Sequence, residues 1–410
     1  MSPQHPVPSG DFDRPLEATA SAGLDAAHGS VRPVFGSLVM AALALPGVML
    51  ASPAQAQTAP EYGTIGFKYL HYQDEQPGLK RIKVSSPSVY VLAPLGKQWS
   101  IEGSGVVDDV SGASPRWHSS VSGASRMEDY RKAGDVKVTH YTGHASYSLG
   151  AAFSDEDDYR SKAVSAGASL FSADRNTTYN IGLGLARDRI DATDGGFLGT
   201  ALNKKKNTHE LLLGVTQALS RVDLAQFNVT YSNGKGFYSD PYKAFDERPG
   251  RREQVALLGR WNHHFEGDGS TLRTSYRFYH DSFKINAHTL GLEWAKPVAG
   301  GLTLSPLLRY YSQSAAYFYG DALANPATLP VPAGYVLGNP PLYSADHRLA
   351  AFGALTYGLK AEYKVGADWK IDAKVEQYEQ RSNWRMSGSG SPGLADFSAT
   401  MVQLGVSRRF

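Results

Sequence analysis

The sequence predicts an all-β protein, a transmembrane antiparallel β-barrel of about 16 strands, with about 14 as the alternative count. Three observations predict it. From Gly63 onward, segment after segment alternates apolar with small or polar residues at the period of a strand. The connections between these segments alternate between short and long. The last segment, 397–410, reads FSATMVQLGVSRRF and sets Val402, Leu404, Val406 and Phe410 on one face, with Gln403, Gly405, Ser407 and Arg409 on the other. A strand with lipid on one side and water on the other needs this division. A soluble sandwich would have shorter strands and would not so regularly place aromatic residues at both ends of its apolar faces.

Composition agrees. The chain has 410 residues, 42 Gly, 23 Tyr, no Cys and a formal charge of +2. A charge this close to zero gives no case for a nucleic-acid partner. The lack of cysteine suits an oxidising compartment and removes thiolate metal ligands and nucleophiles. The stretch 33–57, PVFGSLVMAALALPGVMLASPAQAQ, is apolar from Val34 to Ala51 and follows Arg32. It approaches the ~18 residues of a short membrane helix, but Pro46 and Ala54-Gln55-Ala56 favour a signal peptide over 32–56, cleaved after Ala56. Residues 1–31 are then a polar leader expected to be disordered, and 57–410 the barrel, placed in the outer membrane.

Taken in order, Ile65, Phe67 and Tyr69 form the first apolar face, and Trp99, Ile101, Gly103 and Gly105 a later one. Tyr141, Ala145, Tyr147, Leu149 and Phe153 read as one strand, with His140 and His144 on its lumen side. Further faces are Val164–Leu170, Tyr179–Leu185, Leu211–Val215, Ala225–Tyr231, Val255–Trp261, Leu272–Phe278, Leu290–Trp294, Leu302–Tyr310, Leu355–Tyr363 and Trp369–Val375, each at alternate positions. Short connections fall at 174–176, 219–221, 266–270, 297–301 and 366–368, and long ones at 191–206, 235–252, 318–346 and 387–395. Short periplasmic turns and long outer loops have this rhythm. The connection 280–285 is short but falls in the outer series. A plain count is odd, and a barrel with both ends in the periplasm needs an even one. A strand near 119–131 restores parity. The alternative is that 108–134 folds into the lumen as a plug. Arg408 stands on the apolar face of the last strand, near the membrane edge, where its guanidinium can reach water.

The middle of the chain carries motifs. Ser111-Gly112-Ala113-Ser114 is repeated as Ser122-Gly123-Ala124-Ser125. Asp129 and Arg131 follow in MEDYR, then Ser154-Asp155-Glu156-Asp157-Asp158-Tyr159-Arg160-Ser161, then Arg187-Asp188-Arg189-Ile190. In these the chain resembles the bacterial family catalogued as domain of unknown function 3570. The resemblance implies an outer-membrane barrel and brings no established activity, ligand or catalytic residue. It also implies gene neighbours that include a small lipoprotein, a thioredoxin-like protein and a flavin transferase, and so a periplasmic or lipoprotein partner.

The candidate functional residues are few. Asp155, Glu156, Asp157 and Asp158 sit at a predicted outer tip and could hold a divalent cation or bridge to lipopolysaccharide. A solvated acidic loop is the favoured reading. His140 and His144 are ~13 Å apart along a strand, too far for one ion, so no metal site is expected. No catalytic residue, enzyme signature or cofactor is expected either. Arg260, Arg273, Arg277 and Arg309, with Glu293, are assigned to the lumen, because charge facing lipid costs about 2–4 kcal/mol near the midplane. Lys360, Glu362, Lys370, Asp372, Lys374 and Glu376 follow on the same side of the wall. Opposite this basic arc, 142–186 offers mostly Gly and Ser. Such a lumen reads as a charged path or binding site for a solute, or as a cross-strand lattice that only stiffens the wall. A structural or partner-binding barrel is the second functional reading. Phe410 is the expected signal for the insertion machinery, and membrane lipid and lipopolysaccharide are expected partners.

Overall fold

The computed structural model describes residues 58–77, 79–115, 124–196, 199, 201–243, 245–321, 332, 334–336 and 339–410. The expected leader and signal peptide lie outside these residues. The strands are β1 (Thr64–Gln76), β2 (Leu79–Leu95), β3 (Trp99–Pro115), β4 (Ala124–Tyr141), β5 (Ala145–Asp155), β6 (Tyr159–Phe171), β7 (Thr177–Ile190) and β8 (Lys204–Ala218). They continue as β9 (Asp223–Gly236), β10 (Arg251–His264), β11 (Thr271–Asp281), β12 (Asn286–Ala299), β13 (Leu302–Gln313), β14 (Phe352–Val365), β15 (Trp369–Arg381) and β16 (Phe397–Arg409). Each pairs antiparallel with its neighbours in sequence, and β1 pairs with β16. The result is a closed barrel of sixteen strands without a free edge.

The alternation becomes an inverted burial pattern. Leu149, Leu183 and Leu404 point outward and are at least half exposed, whereas Gln403 and Ser407 point inward and are buried. A protein in water would expose the polar set. Only a surrounding apolar solvent makes this arrangement favourable.

Closure depends on the two end strands. Gly63 N–H donates to the Phe410 carbonyl at 2.8 Å, and Phe410 N–H donates back to Gly63 at 3.0 Å. A Cβ at Gly63 would lie 2.4 Å from the Phe410 ring, so only glycine lets the ring lie across the seam. Arg408 stacks its guanidinium 5.4 Å from the centre of the Trp369 ring, which accounts for a cation on the outer face.

At the short-turn end, Gly300 and Gly301 take φ of 56° and 87° between β12 and β13. Two consecutive positive φ values suit a tight hairpin turn, and glycine adopts them without strain. In the β6–β7 turn, Ser172 Oγ and the Asn176 backbone N–H both donate to Asp174 Oδ1, which holds its carboxyl below the usual range.

Two expectations are corrected. The run 140–153 is not one strand. The chain turns at 142–144, where Thr142 Oγ1 accepts from Ala145 N–H. Tyr141 therefore faces the lumen, 3.0 Å from Ser100 Oγ, and His140 faces outward against the Trp99 ring. The turn resets the alternation, and a period count that runs through it puts His140 on the wrong face. Nor do the described parts of 108–134 form a plug. Residues 108–115 and 124–134 belong to β3 and β4 and pair within the wall, with Ser114 opposite Ser125, while 116–123 lie outside the described residues. The strand expected near 119–131 lies further along as β4, where outward Val136 and Val138 provide the apolar face.

Candidate functional site

Inside the barrel, the strand register sorts charge into sectors. On β14 and β15, Lys360 is opposite Lys374, Glu362 opposite Asp372, and Lys364 opposite Lys370, so successive rows alternate in sign. Ion pairs link the rows: Lys374 to Glu376 at 3.0 Å, Lys360 to Glu362 at 3.0 Å and Lys370 to Glu362 at 3.5 Å. Lys68 of β1 reaches Asp372 at 3.5 Å. On β3 and β4, Glu102 pairs with Lys137 and accepts from Tyr90 Oη, while Arg131 Nε donates to Asp108 at 2.5 Å. Each pair is largely buried and partnered within the wall, as cross-strand stiffening requires.

The arginine arc is different. Arg273 donates to Glu293 at 2.5 Å across the β11–β12 register, yet 36% of its side chain is still exposed, so this part of the lumen admits solvent. Arg260 reaches Gln226 Oε1 at 3.4 Å. Arg277 lies over the Tyr279 ring at 5.2 Å, and Arg309 stands opposite Gly291. Among the described residues neither Arg277 nor Arg309 makes a salt bridge. Over 142–186 the inward faces of β5 to β7 carry Ser146, Ser148, Gly150, Ser161, Ser165 and Ser169 and few charges, as expected; Asp188, at the loop end of β7, is the inward carboxylate beyond that stretch. These faces do not, however, lie opposite the arc. In a ring of sixteen, β6 stands eight strands from β14, so the neutral wall faces the mixed lattice and the arc lies between.

Sequence reasoning missed how the long-loop end is built. The described residues of three connections, 237–243 with 245–250, 314–321 with 339–351, and 382–396, pack together there. Tyr72, Ile82, Phe352, Tyr378, Leu394 and Phe397 form one apolar cluster. Tyr238, Phe283, Ile285, Phe318 and Leu349 form a second, and Tyr319 packs on both. An ionic knot lies between the loops. Arg248 donates to Asp246 at 2.7 Å and to Asp346 at 2.9 Å. Arg348 Nε donates to both Asp346 oxygens, at 2.8 and 2.9 Å, and Ser344 Oγ donates to Asp246 at 2.5 Å. The Asp346 side chain has no solvent exposure. Burial raises the Asp246 carboxyl above its usual range while Arg248 opposes the shift, and burial pulls the Lys243 ammonium down. The described parts of these loops form a packed cap at the long-loop end of the barrel. Their hydrophobic anchors were visible only as scattered loop residues.

The four clustered carboxylates diverge. Asp155 pairs with Arg160, Glu156 turns into a buried position, Asp157 is exposed, and Asp158 accepts from Tyr242 Oη of the cap. The geometry therefore does not support the possible divalent-cation loop, the less favoured of the two readings of this stretch. Among the described residues no group of three or more His, Asp or Glu could hold a metal. The motifs DYRS and RDRI instead meet inside the wall. Ser161 Oγ donates to Asp188 at 2.7 Å, and Lys206 pairs with Asp188 at 2.9 Å with both side chains fully buried.

A family model described as Protein of unknown function (DUF3570) matches residues 35–127 and 121–401. No curated protein matches the chain. Among solved structures, CdiB from Acinetobacter baumannii is 8% identical, with 83% of this chain and 60% of that chain covered and a TM-score of 0.46. CdiB from Escherichia coli is 11% identical, with 84% and 62% covered and a TM-score of 0.49. OpdQ from Pseudomonas aeruginosa is 7% identical, with 85% and 99% covered and a TM-score of 0.40. The chain thus spans less than two thirds of either CdiB. Likeness at this level concerns barrel architecture and carries no argument about activity.

Proposed function

Since the chain belongs to the family Protein of unknown function (DUF3570), whose description names no activity, we propose a function from the lumen: an outer-membrane barrel that binds or passes small anionic solutes, with the loop cap as its outer closure. The observation that carries this is the arginine arc, a solvent-reached set of cations whose charge Glu293 offsets only in part. A lumen whose accessible charge is basic favours anions. We assign it no catalytic role and no cofactor.

The test is the reversal potential of the purified barrel in a planar bilayer across a salt gradient. Anion preference is expected in the wild type, weakening as salt rises because such a field is screened over ~8 Å at physiological ionic strength. Arg273→Gln with Arg277→Gln should reduce the preference. Cation preference in the wild type overturns the proposal.

The cap favours a second reading, a closed barrel that serves as a structural or partner-binding element of the envelope. A lack of current in the wild type and in a variant with a loosened cap would support it. Both readings share an orientation. Cysteine at Asp157 or Arg251, at the long-loop end, is expected to react with an impermeant thiol reagent on intact cells, while cysteine at Asp174 or Gly366 is not. The opposite labelling pattern would invert the orientation.

A further inference from the structure

The outer surface of β6 to β10 has a feature that the lumen does not explain. Strand register places Lys162 opposite Arg187, Arg187 opposite Asn207, Asn207 opposite Lys235, and Lys235 opposite Arg251. These side chains all point outward and are exposed. The next row toward the loops sets Arg160 opposite Arg189 and Arg189 opposite Lys205. One row toward the membrane centre, Val164, Leu185 and His209 are aligned. One row further, Ala166, Leu183, Leu211, Tyr231 and Val255 form a line whose one polar group, the Tyr231 hydroxyl, donates to Glu253 at 3.1 Å. Successive rows are about 7 Å apart along the strands. Two tiers of cations thus sit directly above the apolar band.

Like charges directly opposite each other in a sheet repel. Arg160, Arg189 and Arg251 have carboxylate partners in Asp155, Asp191 and Glu253. Lys162, Arg187, Lys205 and Lys235 make no ion pair among the described residues. On β15, at the same end of the barrel, the outward Arg381 is balanced by Glu379. At the cation rows a surface concavity of about 720 Å³ runs from the Arg160, Lys162 and Arg187 side chains down to Leu185, with Lys205 and His209 on its far side. Cationic heads over an apolar floor fit an amphiphile with an anionic headgroup and acyl chains.

We propose that this face is a binding site for a phosphorylated glycolipid of the outer leaflet, whose phosphates lie between the two cation rows and whose acyl chains lie along Leu183, Leu185 and Leu211. The outer-leaflet source follows from the position of the patch at the long-loop end, and so rests on the orientation given above. It does not depend on whether the lumen conducts.

The experiment is native mass spectrometry of the purified full barrel in detergent, titrated separately with bisphosphorylated lipid A, dephosphorylated lipid A, phosphatidylglycerol and inorganic phosphate. One lipid A per barrel is expected to bind, with phosphatidylglycerol and dephosphorylated lipid A at least about tenfold weaker and inorganic phosphate failing to compete. Lys162→Gln with Arg187→Gln and Lys235→Gln should weaken lipid A about tenfold or more, and Arg187→Lys with Lys235→Arg should retain it. Single substitutions give the same readout in smaller steps if the triple variant does not fold. Equal binding of lipid A to wild type and variants, equal binding of phosphatidylglycerol, or competition by phosphate would each overturn the proposal. Detergent solution imposes no membrane orientation, so a failure here is distinguishable from an inverted topology, which only the labelling experiment reads.

Discussion

Replacing Asp346 by alanine is expected to release the loop cap while leaving the barrel wall assembled. Asp346 is the acceptor shared by Arg248 and Arg348, and it also caps the short 3-10 turn His347–Leu349 by accepting from Arg348 N–H at 3.0 Å. Without it, two guanidinium groups lie in a buried site with Asp246 and the more distant Asp240 left to balance them. Breaking a buried pair by removing one partner typically costs about 3–5 kcal/mol. The wall hydrogen bonds of β13 and β14 do not involve this carboxylate, so the loss should stay local. Hydrogen exchange in 344–351 and protease sensitivity of 314–351 should rise sharply, while the intact barrel keeps its heat-dependent gel shift. If the cap is the closure, single-channel conductance should rise as well. Unchanged protection would show that the apolar clusters alone hold the loops. Asp346→Asn should give a smaller effect, since it keeps acceptor and shape but loses the charge.

Deleting Phe410 is expected to have the other large effect, on assembly. The residue contributes two backbone hydrogen bonds beside β1 and β16, the one strand pair among the described residues that is distant in sequence, and its ring covers Gly63. Two such bonds are worth only about 1–3 kcal/mol, but they lie at the seam where β1 and β16, far apart in the chain, must pair to close the barrel. Slower appearance of the folded band and faster loss of the unassembled chain to proteases should follow. Normal rate and yield would sink this account. Gly63→Val makes a matched test, because its side chain would meet the Phe410 ring while every backbone group stays in place.

Much of this architecture is legible in the sequence because a barrel strand repeats every second residue, and lipid enforces that repeat at each crossing. The faces of Trp369–Val375 and Val402–Phe410 could be assigned without coordinates, and so could the inward Arg260, Arg273, Arg277, Arg309 and Glu293. The rule breaks where the chain turns within a run of unbroken alternation. Thr142 closes a turn through its own hydroxyl, and nothing in the pattern of 140–153 marks the reset. The carboxylates at 155–158 do not converge on one ion for a related reason. In a tight strand-to-strand turn, consecutive side chains point in different directions, and adjacency in sequence does not bring their oxygens together.

What the sequence determined by itself was therefore the repeating part: an all-β chain, its faces, the rhythm of its connections and the family to which its motifs point. Tertiary structure decided everything that depends on strands or loops far apart in the chain. It closed β1 on β16, set β14 rather than the arginine arc opposite β6, joined Arg248 to Asp346 across the mouth, and aligned Lys162, Arg187 and Lys235 in one row. The physical reason is that alternation is enforced residue by residue by the solvent on either side of the wall. Register, curvature and loop packing are instead set by contacts between segments whose pairing no local period encodes.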